Sequence, residues 1–497
     1  MAAAKGDLTA GAPGRKLLAF ALPILVINLL QAVYNVADMV ILGQVTGAPG
    51  MSAVGIGGQV TTVVLVVVTA IANGGAAIMG RYFGAGNRES IKRLLSTMLS
   101  FTLIVALVLT AAVIAACRPI LRFLNTPAES FDGAVAYLII CMCGTVVVYA
   151  YNAFYAVLRA IGESAAPMRI MLLTTAENIV LDLLFIAVFR LGAAGAAIAT
   201  VISQATSAVL ICRCVCRAGY FEFRRGALRL ERGVLSGLLR ICAPQVVQMV
   251  LTNTSFLLIN GLINVFDVNH SAAAAAVTKI WNLTVLAGQA LMAAMISMTA
   301  QNCAKGEYRR VLSALTTGSL VAAGIGGVFT LLCELIPGSM LHLFTKEVPV
   351  IAAGISYLRY FAIGFMAENV MFCLFGTLTG SGHTLVPMCC AIITSYLVRY
   401  LFALVLSQHT ALGFDGIAIT DDLAMDAVKA YAKDGAVAVL ALQAGNDMVV
   451  TTDYRTQIPA VIAAVQEGTL EESVIDDACL RVLRCKDTFL GIPENNP

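Results

Sequence analysis

The chain contains one stretch of sequence twice, and both copies lie among strongly apolar segments. LRAIGESAAPM at residues 158–168 returns as LTGSGHTLVPM at residues 378–388, an offset of 220 residues. At the same offset, Gly86 in the loop GRYFGAGN matches Gly306 in QNCAKG. A duplication of this length, built from apolar helices, is typical of secondary transporters. The repeat therefore predicts two membrane lobes with a cavity between them.

Apolar runs long enough to span a bilayer, about 20 residues each, occur in both copies. They lie near 17–42, 53–79, 92–117, 132–158, 168–189, 192–213, 239–265, 272–301, 310–335, 351–378 and 386–407. Six runs fall in the first copy and five in the second. An even number of spans per copy gives both copies the same orientation, so we expect the lobes to be related by an axis along the membrane normal.

These runs predict an all-α polytopic membrane protein with a different kind of segment at its end. We expect an N-lobe of six transmembrane helices at 1–213, a connector at 214–238, and a C-lobe of five helices at 239–410. The remainder, 411–497, differs in charge. Residues 1–410 hold 26 basic and 15 acidic side chains, whereas residues 411–497 hold 6 and 14. The basic excess fits membrane topology, and without a nucleic-acid motif we expect no nucleic-acid partner.

Basic residues are concentrated on one side of the predicted membrane domain. That side includes Lys16, Arg81, Arg159 and the connector at 214–238. The positive-inside rule places this side, together with the N-terminus, in the cytoplasm. We therefore expect a monomeric multi-pass protein of the plasma or inner membrane, embedded in the lipid bilayer. The connector is either a basic loop near lipid headgroups or an amphipathic surface helix.

The 14 cysteines of the chain lie mostly inside apolar runs, so no disulfide framework is expected. Cys212, Cys214 and Cys216 are closely spaced, as metal ligands often are. Alternate positions do not share a helix face, and no histidine accompanies them. We therefore expect no metal site.

A few ionisable residues lie inside the predicted spans: Asp38, Glu177, Asp182, Glu368 and Arg399. Because a charge in the bilayer costs roughly 2.5–3.5 kcal/mol on insertion scales, each needs a partner or a function. Asp38 and Asp182 fall at similar depth, and Asn178 precedes Asp182 by one helical turn on the same face. Together they could hold a proton or a small cation. The alternative is a structural hydrogen bond at a helix end.

Glu368 is the only acidic residue well inside the second lobe. It could bind a cationic substrate, or it could hydrogen-bond Asn369 or its neighbours, and the sequence does not decide between the two. Glu177 points about 100° away from Asn178 around the helix, which fits a packing contact as well as a functional one. Arg399 lies toward the outer end of the last run and is expected to snorkel.

Several runs resemble the multidrug and toxic compound extrusion (MATE) family over residues 15–410. They are YNVADMVILGQVTG, GRYFGAGN, LRAIGESAAPM and NIVLDLLF. The resemblance implies a cation-coupled antiporter that exports small cationic amphipathic drugs. In the proton-coupled branch of the family, the cation site falls on these positions here: Asp38, Asn178, Asp182, Tyr137 and Thr200. The Na⁺-coupled branch uses acidic residues in helices 7 and 10, but helix 7 here has only Gln245 and Gln248, which favours the proton. No other cofactor is implied.

After residue 411 the apolar spans give way to shorter alternating elements. GIAIT is predicted to be a buried strand that ends at Asp421, and DMVVT a second strand. Helices are predicted at 423–442, 455–467 and 471–487. The alternation predicts a small α/β segment, and a carboxylate after a parallel strand is where barrel enzymes place catalytic groups.

LGFDGIAITDDLAM, AGNDMVV and IDDACLRVLRCK resemble the end of the TIM-type barrel of glycoside hydrolase family 3, in its β-N-acetylhexosaminidase branch. The resemblance puts the nucleophile at Asp421. Retaining hydrolysis needs a second group as acid/base, which in this branch is a His–Asp pair on an earlier loop. None of the four histidines of this chain lies in such a context. We expect an inactive remnant of about two barrel units with exposed strand edges.

Two rival functions remain open at this stage. A lipid-linked saccharide flippase shares such a helical repeat, but it would need basic residues in its cavity, whereas the intramembrane charges here are mostly acidic. A membrane-tethered hexosaminidase would need the missing acid/base. The junction near residue 411 could come from a recombination between genes or from a misassembled gene.

Overall fold

The computed structural model describes residues 7–124, 126–222, 228–263, 268–345, 347–401, 403, 419–420 and 437–490. The chain divides into two compact units, Met1–Phe402 and Ala403–Pro497. The regular structure described in the first unit is entirely helical. Its long helices are α1 (Pro13–Gly47), α2 (Pro49–Gly84), α3 (Arg88–Ala115), α4 (Ala128–Ala160), α5 (Ala165–Val188), α6 (Gly192–Arg217), α7 (Arg232–Ile263), α8 (Val268–Ala304), α9 (Tyr308–Leu335), α10 (Val348–Ala362 and Gly364–Gly380) and α11 (Leu385–Leu401).

Wherever the structure describes them, the predicted apolar runs lie in these helices, so the membrane part is helical as predicted. In the described part of the chain, nine helices, α1 to α9, are long and apolar enough to cross a membrane. The two halves of α10 meet at an angle of 42° and would count as a tenth span. Helix α11 is shorter than the roughly 20 residues that a full crossing needs. The eleven predicted spans therefore correspond to eleven helices, of which nine or ten have the length and composition to cross a membrane.

A glycine separates the first two spans. Gly47 has φ 67° and ψ −158°, a backbone conformation that glycine adopts far more readily than other residues. Pro49 follows it and cannot donate a helical hydrogen bond. The chain therefore reverses between α1 and α2, as the gap between the first two predicted runs indicated.

The sequence repeat is also a repeat of backbone conformation. Gly86 and Gly306, which are 220 residues apart, have φ values of 74° and 73°. Gly162 and Gly382, at the same offset, have φ values of 77° and 81°. In each pair the glycine N–H bonds the carbonyl three residues earlier, which closes the end of a long helix in the same way. The two copies thus share their turns as well as their helices.

Large apolar side chains cover the outside of the first unit. Leu107, Val108 and Leu172 are 54%, 61% and 59% exposed, and only 22% of the apolar window of α3 is buried within the protein. Apolar patches of this extent do not occur on soluble proteins. The lipid bilayer is the environment that covers them, which confirms the predicted membrane location.

The described residues of the second unit contain three helices, α12 (Val437–Gln443), α13 (Tyr454–Gln466) and α14 (Glu472–Leu490). The last two agree with the predicted helices at 455–467 and 471–487. A small apolar core holds Val439, Leu442, Ala464 and Leu470, and Val474 and Ile475 of α14 pack against it. Arg481 Nε donates to Asp447 Oδ1 at 2.6 Å.

The two strands predicted for this unit are not confirmed. Within residues 419–420 and 437–490, strand-like pairing consists of one isolated parallel bridge between Ile419 and Met448. There Thr420 N donates to Met448 O at 3.0 Å. The parallel direction agrees with the predicted βα pattern, but a TIM-type barrel fragment stays a prediction. Asp421 and most of the helix predicted at 423–442 lie outside the described residues.

Candidate functional site

Asp38 on α1 and Asp182 on α5, here called the acidic pair, meet inside the first lobe. Their exposed fractions are 9% and 0%. The two carboxyl groups are close enough for one, when protonated, to donate a hydrogen bond to the other. Asn178 lies one turn before Asp182 and is also buried. Directly after Asp182, α5 widens into the π-helical segment Leu183–Val188, a conformation often found at functional sites.

The acidic pair and its neighbouring amide have unsatisfied polar atoms. Both carboxylate oxygens of Asp182, Oδ1 of Asp38, and both amide atoms of Asn178 are buried without a hydrogen-bond partner among the described residues. Two ionised carboxylates only accept hydrogen bonds, whereas one proton shared between them turns one carboxyl into a donor. Leaving such groups unpaired costs about 1–3 kcal/mol each. This cluster can therefore hold a proton or a small cation.

Three further side chains surround the acidic pair. Tyr34 lies one turn before Asp38 on α1 and interacts electrostatically with both carboxyls. Tyr137 and Cys141, one turn apart on α4, lie side by side and near Asp38. Gly57 on α2 makes room for the predicted site residue Tyr137, because a Cβ at this glycine would lie 2.7 Å from the ring Cδ1. The sequence reasoning missed Tyr34, although its spacing of four residues from Asp38 was a usable signal.

A cavity of about 460 Å³ adjoins this cluster and is lined by both lobes. Asn178, Thr200 and Tyr34 lie on its wall, so it reaches the predicted cation site. The first lobe contributes many hydroxyl and amide side chains: Asn28, Gln31, Thr69, Asn152, Thr174, Thr175, Ser203, Gln204 and Ser207. The second lobe contributes Met249, Gln289, Met292, Ala293 and Phe372. The hydroxyl and amide side chains of the cavity therefore come mostly from the first lobe, which also contributes apolar residues such as Ile27, Leu65 and Met171.

Arg159 is the only Asp, Glu, Lys or Arg among the described residues that line the cavity. It lies in the last turn of α4 and is 6% exposed. Its Nη1 donates to Asn73 Oδ1 at 3.0 Å, and its guanidinium carbon lies 4.9 Å from the Tyr155 ring centroid. The interpretation of Arg159 as part of a basic surface loop is therefore corrected. A spacing of four residues through Tyr151, Tyr155 and Arg159 was the signal for a shared helix face.

The other predicted intramembrane charges are placed outside this cavity. Glu368 Oε2 accepts a hydrogen bond of 2.7 Å from Trp281 Nε1, and it is not a lining residue. Glu177 Oε1 accepts from Thr206 Oγ1 at 2.9 Å, which joins α5 to α6. The Arg399 guanidinium stacks 4.3 Å from the Phe256 ring centroid. Substrate binding by Glu368 therefore stays a prediction.

Two side-chain contacts related by the repeat join the lobes beside Arg159. Arg81 Nε and Nη2 each donate to Gly380 O at 3.3 Å. Gln301 Nε2 donates to Ala160 O at 2.7 Å. Arg81 and Gln301 are 220 residues apart, and so are Ala160 and Gly380. Each copy therefore supplies a side-chain donor and a main-chain acceptor from the same two positions. We call these two contacts the interlobe hydrogen bonds.

Helices α2 and α8 cross closely at this same end of the cavity. A Cβ on Gly80 would lie 2.8 Å from the Cβ of Ala300. A Cβ on Gly84 would lie 3.0 Å from the Cβ of Ala304 and would overlap the carbonyl oxygen of Gln301. The two alanines are the repeat equivalents of the two glycines. Small residues spaced by four allow membrane helices to approach this closely, and the crossing closes the cavity here.

The segment before α1 packs against this closed end. Leu8 is 3% exposed, and its N–H donates to Gln301 Oε1 at 3.0 Å. Burial raises the pKa of Asp7, but hydrogen bonds from Thr9 and the nearby charges, including Lys305, outweigh it and hold the pKa below its ordinary value. Leu8 is thus hydrogen-bonded to the same glutamine that makes one of the interlobe hydrogen bonds.

Residues 23–184 and 244–405 each match the model of the MatE family, and together they make up more than half of the chain. The chain belongs to the MatE family. Because one family model fits both copies, the match also supports the internal repeat. This MatE protein further matches the model of the glycosyl hydrolase family 3 N terminal domain over residues 383–485. The predicted fusion is thereby confirmed, although this match begins before residue 411.

Curated relatives have similar length. The chain is 26% identical over 417 residues to the probable multidrug resistance protein YpnP of Bacillus subtilis, covering 83% of this chain and 92% of that protein. It is 25% identical over 412 residues to the probable multidrug resistance protein NorM of Thermotoga maritima, covering 81% and 87%. The relatives and the family match together make this protein a transporter rather than an enzyme.

Solved structures show the same fold. A MOP superfamily transporter from Pyrococcus furiosus, whose binding pocket is described as having reverse polarity, aligns with a TM-score of 0.78 at 21% identity over 83% of this chain and 93% of that one. An outward-facing multidrug resistance MATE family transporter aligns with the same TM-score, identity and coverage. At this level of identity the likeness concerns the fold alone.

Proposed function

We propose that this protein is a proton-coupled antiporter that exports amphipathic drugs across the plasma membrane. The observation that carries the proposal is the acidic pair, buried and unsatisfied beside a cavity that both lobes line. The names of the curated relatives, which refer to multidrug resistance, support efflux as the activity. A monomer is sufficient for this mechanism, since one chain supplies both lobes.

Protonation of the acidic pair would drive the cycle through the packing of α1. With one shared proton, Asp38 and Asp182 can hydrogen-bond each other, and α1 stays packed against α5. Without it, two buried carboxylates repel each other and have no donor. A proton taken up from outside would therefore favour one arrangement of α1, and its loss to the cytoplasm would favour the other. The drug is released as the proton binds.

We further propose that the exported drug is a cation. A deprotonated acidic pair attracts a cation, and Tyr34 beside it supplies an aromatic face for it. Met249, Met292 and Phe372 supply apolar surface for a drug's ring system. Glu368 would be a second cation contact only if it exchanged its hydrogen bond with Trp281 for the drug. Because α7 offers Glu368 no acidic partner, we propose the proton rather than Na⁺ as the coupling ion.

The predicted topology indicates which end of the cavity faces the cytoplasm. The end of the cavity closed by the interlobe hydrogen bonds lies at loops with many basic residues, which we propose to be cytoplasmic. The structure would then be closed toward the cytoplasm. Leu8, which packs at this end, would lie on the cytoplasmic side, and we propose the N-terminus there as well.

Transport by purified protein in lipid vesicles tests the function. A proton gradient directed into the vesicles should drive release of a preloaded fluorescent cationic drug, with matched proton uptake and no need for Na⁺. Asp38→Asn and Asp182→Asn should each lower this exchange at least tenfold, while Asp132→Asn, the same change at an exposed position of α4, should leave it unchanged. Wild-type exchange by either site variant would contradict the assignment.

We propose that the tail is a glycosidase remnant without activity. Asp421 would be the nucleophile position, but the acid/base expected for this branch has no counterpart in the sequence. Release of p-nitrophenol from a β-N-acetylglucosaminide by the full chain, abolished by Asp421→Asn, would contradict this.

A further inference from the structure

Among the described residues, no acidic side chain pairs with the positive charge of Arg159. Its side chain lines the cavity and is buried, and its Nε has no hydrogen-bond partner among the residues described. The salt bridges of the described residues do not include it. The groups around its guanidinium are neutral: the Asn73 amide and the rings of Tyr155 and Tyr151.

A buried guanidinium in such surroundings is expensive. Removal of a cation from water costs several kcal/mol unless an anion and hydrogen bonds replace the water. Arginine also presents a planar set of N–H donors that fits a carboxylate or a phosphate through two parallel bonds. Here Asn73 uses Nη1, and Nε is left without an acceptor. The unmet need is for an acceptor that carries negative charge.

The side chains before Arg159 on α4 form a surface that suits an aromatic molecule. Tyr151, Tyr155 and Arg159 are spaced by four residues and all line the cavity. The two tyrosine rings stack with centroids 5.8 Å apart and an angle of 23° between their planes. The guanidinium continues the row over the Tyr155 ring. A flat ring system that packs against the edges of these stacked rings, along the row, would bring an attached acidic group to Arg159.

We propose that Arg159 is an anion-binding subsite of the drug cavity, which binds the carboxylate of an aromatic amphiphile such as a zwitterion. This rests on the proposed efflux function. The subsite is separate from the acidic pair, because Cys141 beside Asp38 and Arg159 are 18 residues apart on α4, roughly 27 Å along a helix. The cavity thus has a proton site toward one end and an anion site at the other.

Two dyes that differ in one group provide the test. Tetramethylrhodamine is a zwitterion with a free carboxylate, and its methyl ester is a cation with the same ring system. Binding to the purified full-length protein is measured by fluorescence anisotropy. Arg159→Gln should weaken binding of the acid at least tenfold and change binding of the ester less than twofold. Arg169→Gln, which removes the same charge from an exposed position nearby, should change neither.

If Arg159→Gln proves unstable, Arg159→Lys replaces it in the test, because it keeps the positive charge. Lysine lacks the planar donor set, so the acid should bind several-fold more weakly and the ester as before. Equal losses for acid and ester, or unchanged binding of the acid by a folded variant, would overturn the proposal. Vesicle transport separates the two ideas: Asp182→Asn should stop transport of both dyes without abolishing Arg159-dependent binding of the acid. If the wild type binds the acid through Arg159 but transports neither dye, the subsite stands and efflux fails.

Discussion

The two lobes of this MatE protein descend from one sequence, yet only the first has a polar interior at the functional positions. Counterparts at the 220-residue offset are Asp38 and Leu258, Asn73 and Ala293, Tyr155 and Phe375, and Arg159 and Thr379. In each pair the second lobe has an apolar or smaller residue. The lobes still share the backbone conformation of their turns: the left-handed glycines after α2, α4, α8 and α10 have nearly the same φ. Duplication therefore preserved the geometry, while the chemistry became specific to one copy.

Such a division is physically reasonable for a two-lobed transporter. Backbone turns cannot change without moving whole helices, so both copies keep them. A buried charge costs several kcal/mol, so it needs a hydrogen-bonded partner or a function. We propose both the coupling site and the anion subsite in the first lobe, whereas the second lobe contributes apolar side chains to the cavity and a hydrogen-bonded Glu368.

The strongest test of this comparison changes one carboxyl in each lobe to its amide. Asp182→Asn should lower pH-driven drug transport at least tenfold, because it removes the proton site. Glu368→Gln should lower it no more than about twofold, since Trp281 Nε1 can still donate to the amide oxygen. Both are measured in the same vesicles at equal protein content. Greater loss for Glu368→Gln would reverse the assignment of chemistry to the first lobe.

A second test examines the helix crossing that the lobes share. Gly84→Ala adds a Cβ that would overlap the Gln301 backbone, and overpacking of this kind costs about 1–3 kcal/mol. We expect transport to fall roughly fivefold or more because the cavity closes less well. Gly58→Ala makes the same change on α2 where a Cβ meets nothing within 4 Å. If the two variants transport equally well, the crossing does not limit the cycle.

The third test separates the two interlobe hydrogen bonds. Arg81→Ala removes the two N–H donors to Gly380 O. Gln301→Ala removes the donor to Ala160 O and the acceptor of the Leu8 N–H. Each hydrogen bond contributes about 1 kcal/mol. Amide hydrogen exchange in 81–87 and 301–307 should become several-fold faster in each variant. The effects should add in the double variant, because different helix ends are joined. Full opening by one substitution alone would show that the duplicated contacts are not equivalent.

The smallest effect is expected from the tail. Limited proteolysis should remove residues beyond 411 before it cuts the helices of the first unit, because an incomplete barrel exposes strand edges. Transport by the trimmed protein should stay within about twofold of the intact chain. A tail that resists protease would contradict this prediction.

Much of the fold could be predicted because its determinants are local. Apolar runs of spanning length identified every long helix, and the offset of Gly86 and Gly306 identified the duplication. The bend in α10 and the short α11 were missed, since packing rather than composition sets them. The predicted strand at DMVVT is a single bridge at Met448, because strand formation depends on partners that local sequence does not reveal.

The candidate site was only partly predictable. Asp38 and Asp182 stood out because charge is rare inside apolar runs. Arg159 did not, because a basic residue near a predicted helix end is indistinguishable from a loop residue until the helix end is known. The contacts of Arg81 and Gln301 join residues that are distant in sequence, and no local pattern could have predicted them.

The acceptors of the interlobe hydrogen bonds are main-chain carbonyls at Ala160 and Gly380. A point mutation changes a side chain but leaves the carbonyl in place. After the duplication, the donor position was therefore free to become arginine in one copy and glutamine in the other without loss of its acceptor. The interlobe hydrogen bonds could therefore persist while the donor residue changed. Sequence identity at the donor position alone would underestimate how well these contacts have been conserved between the two copies.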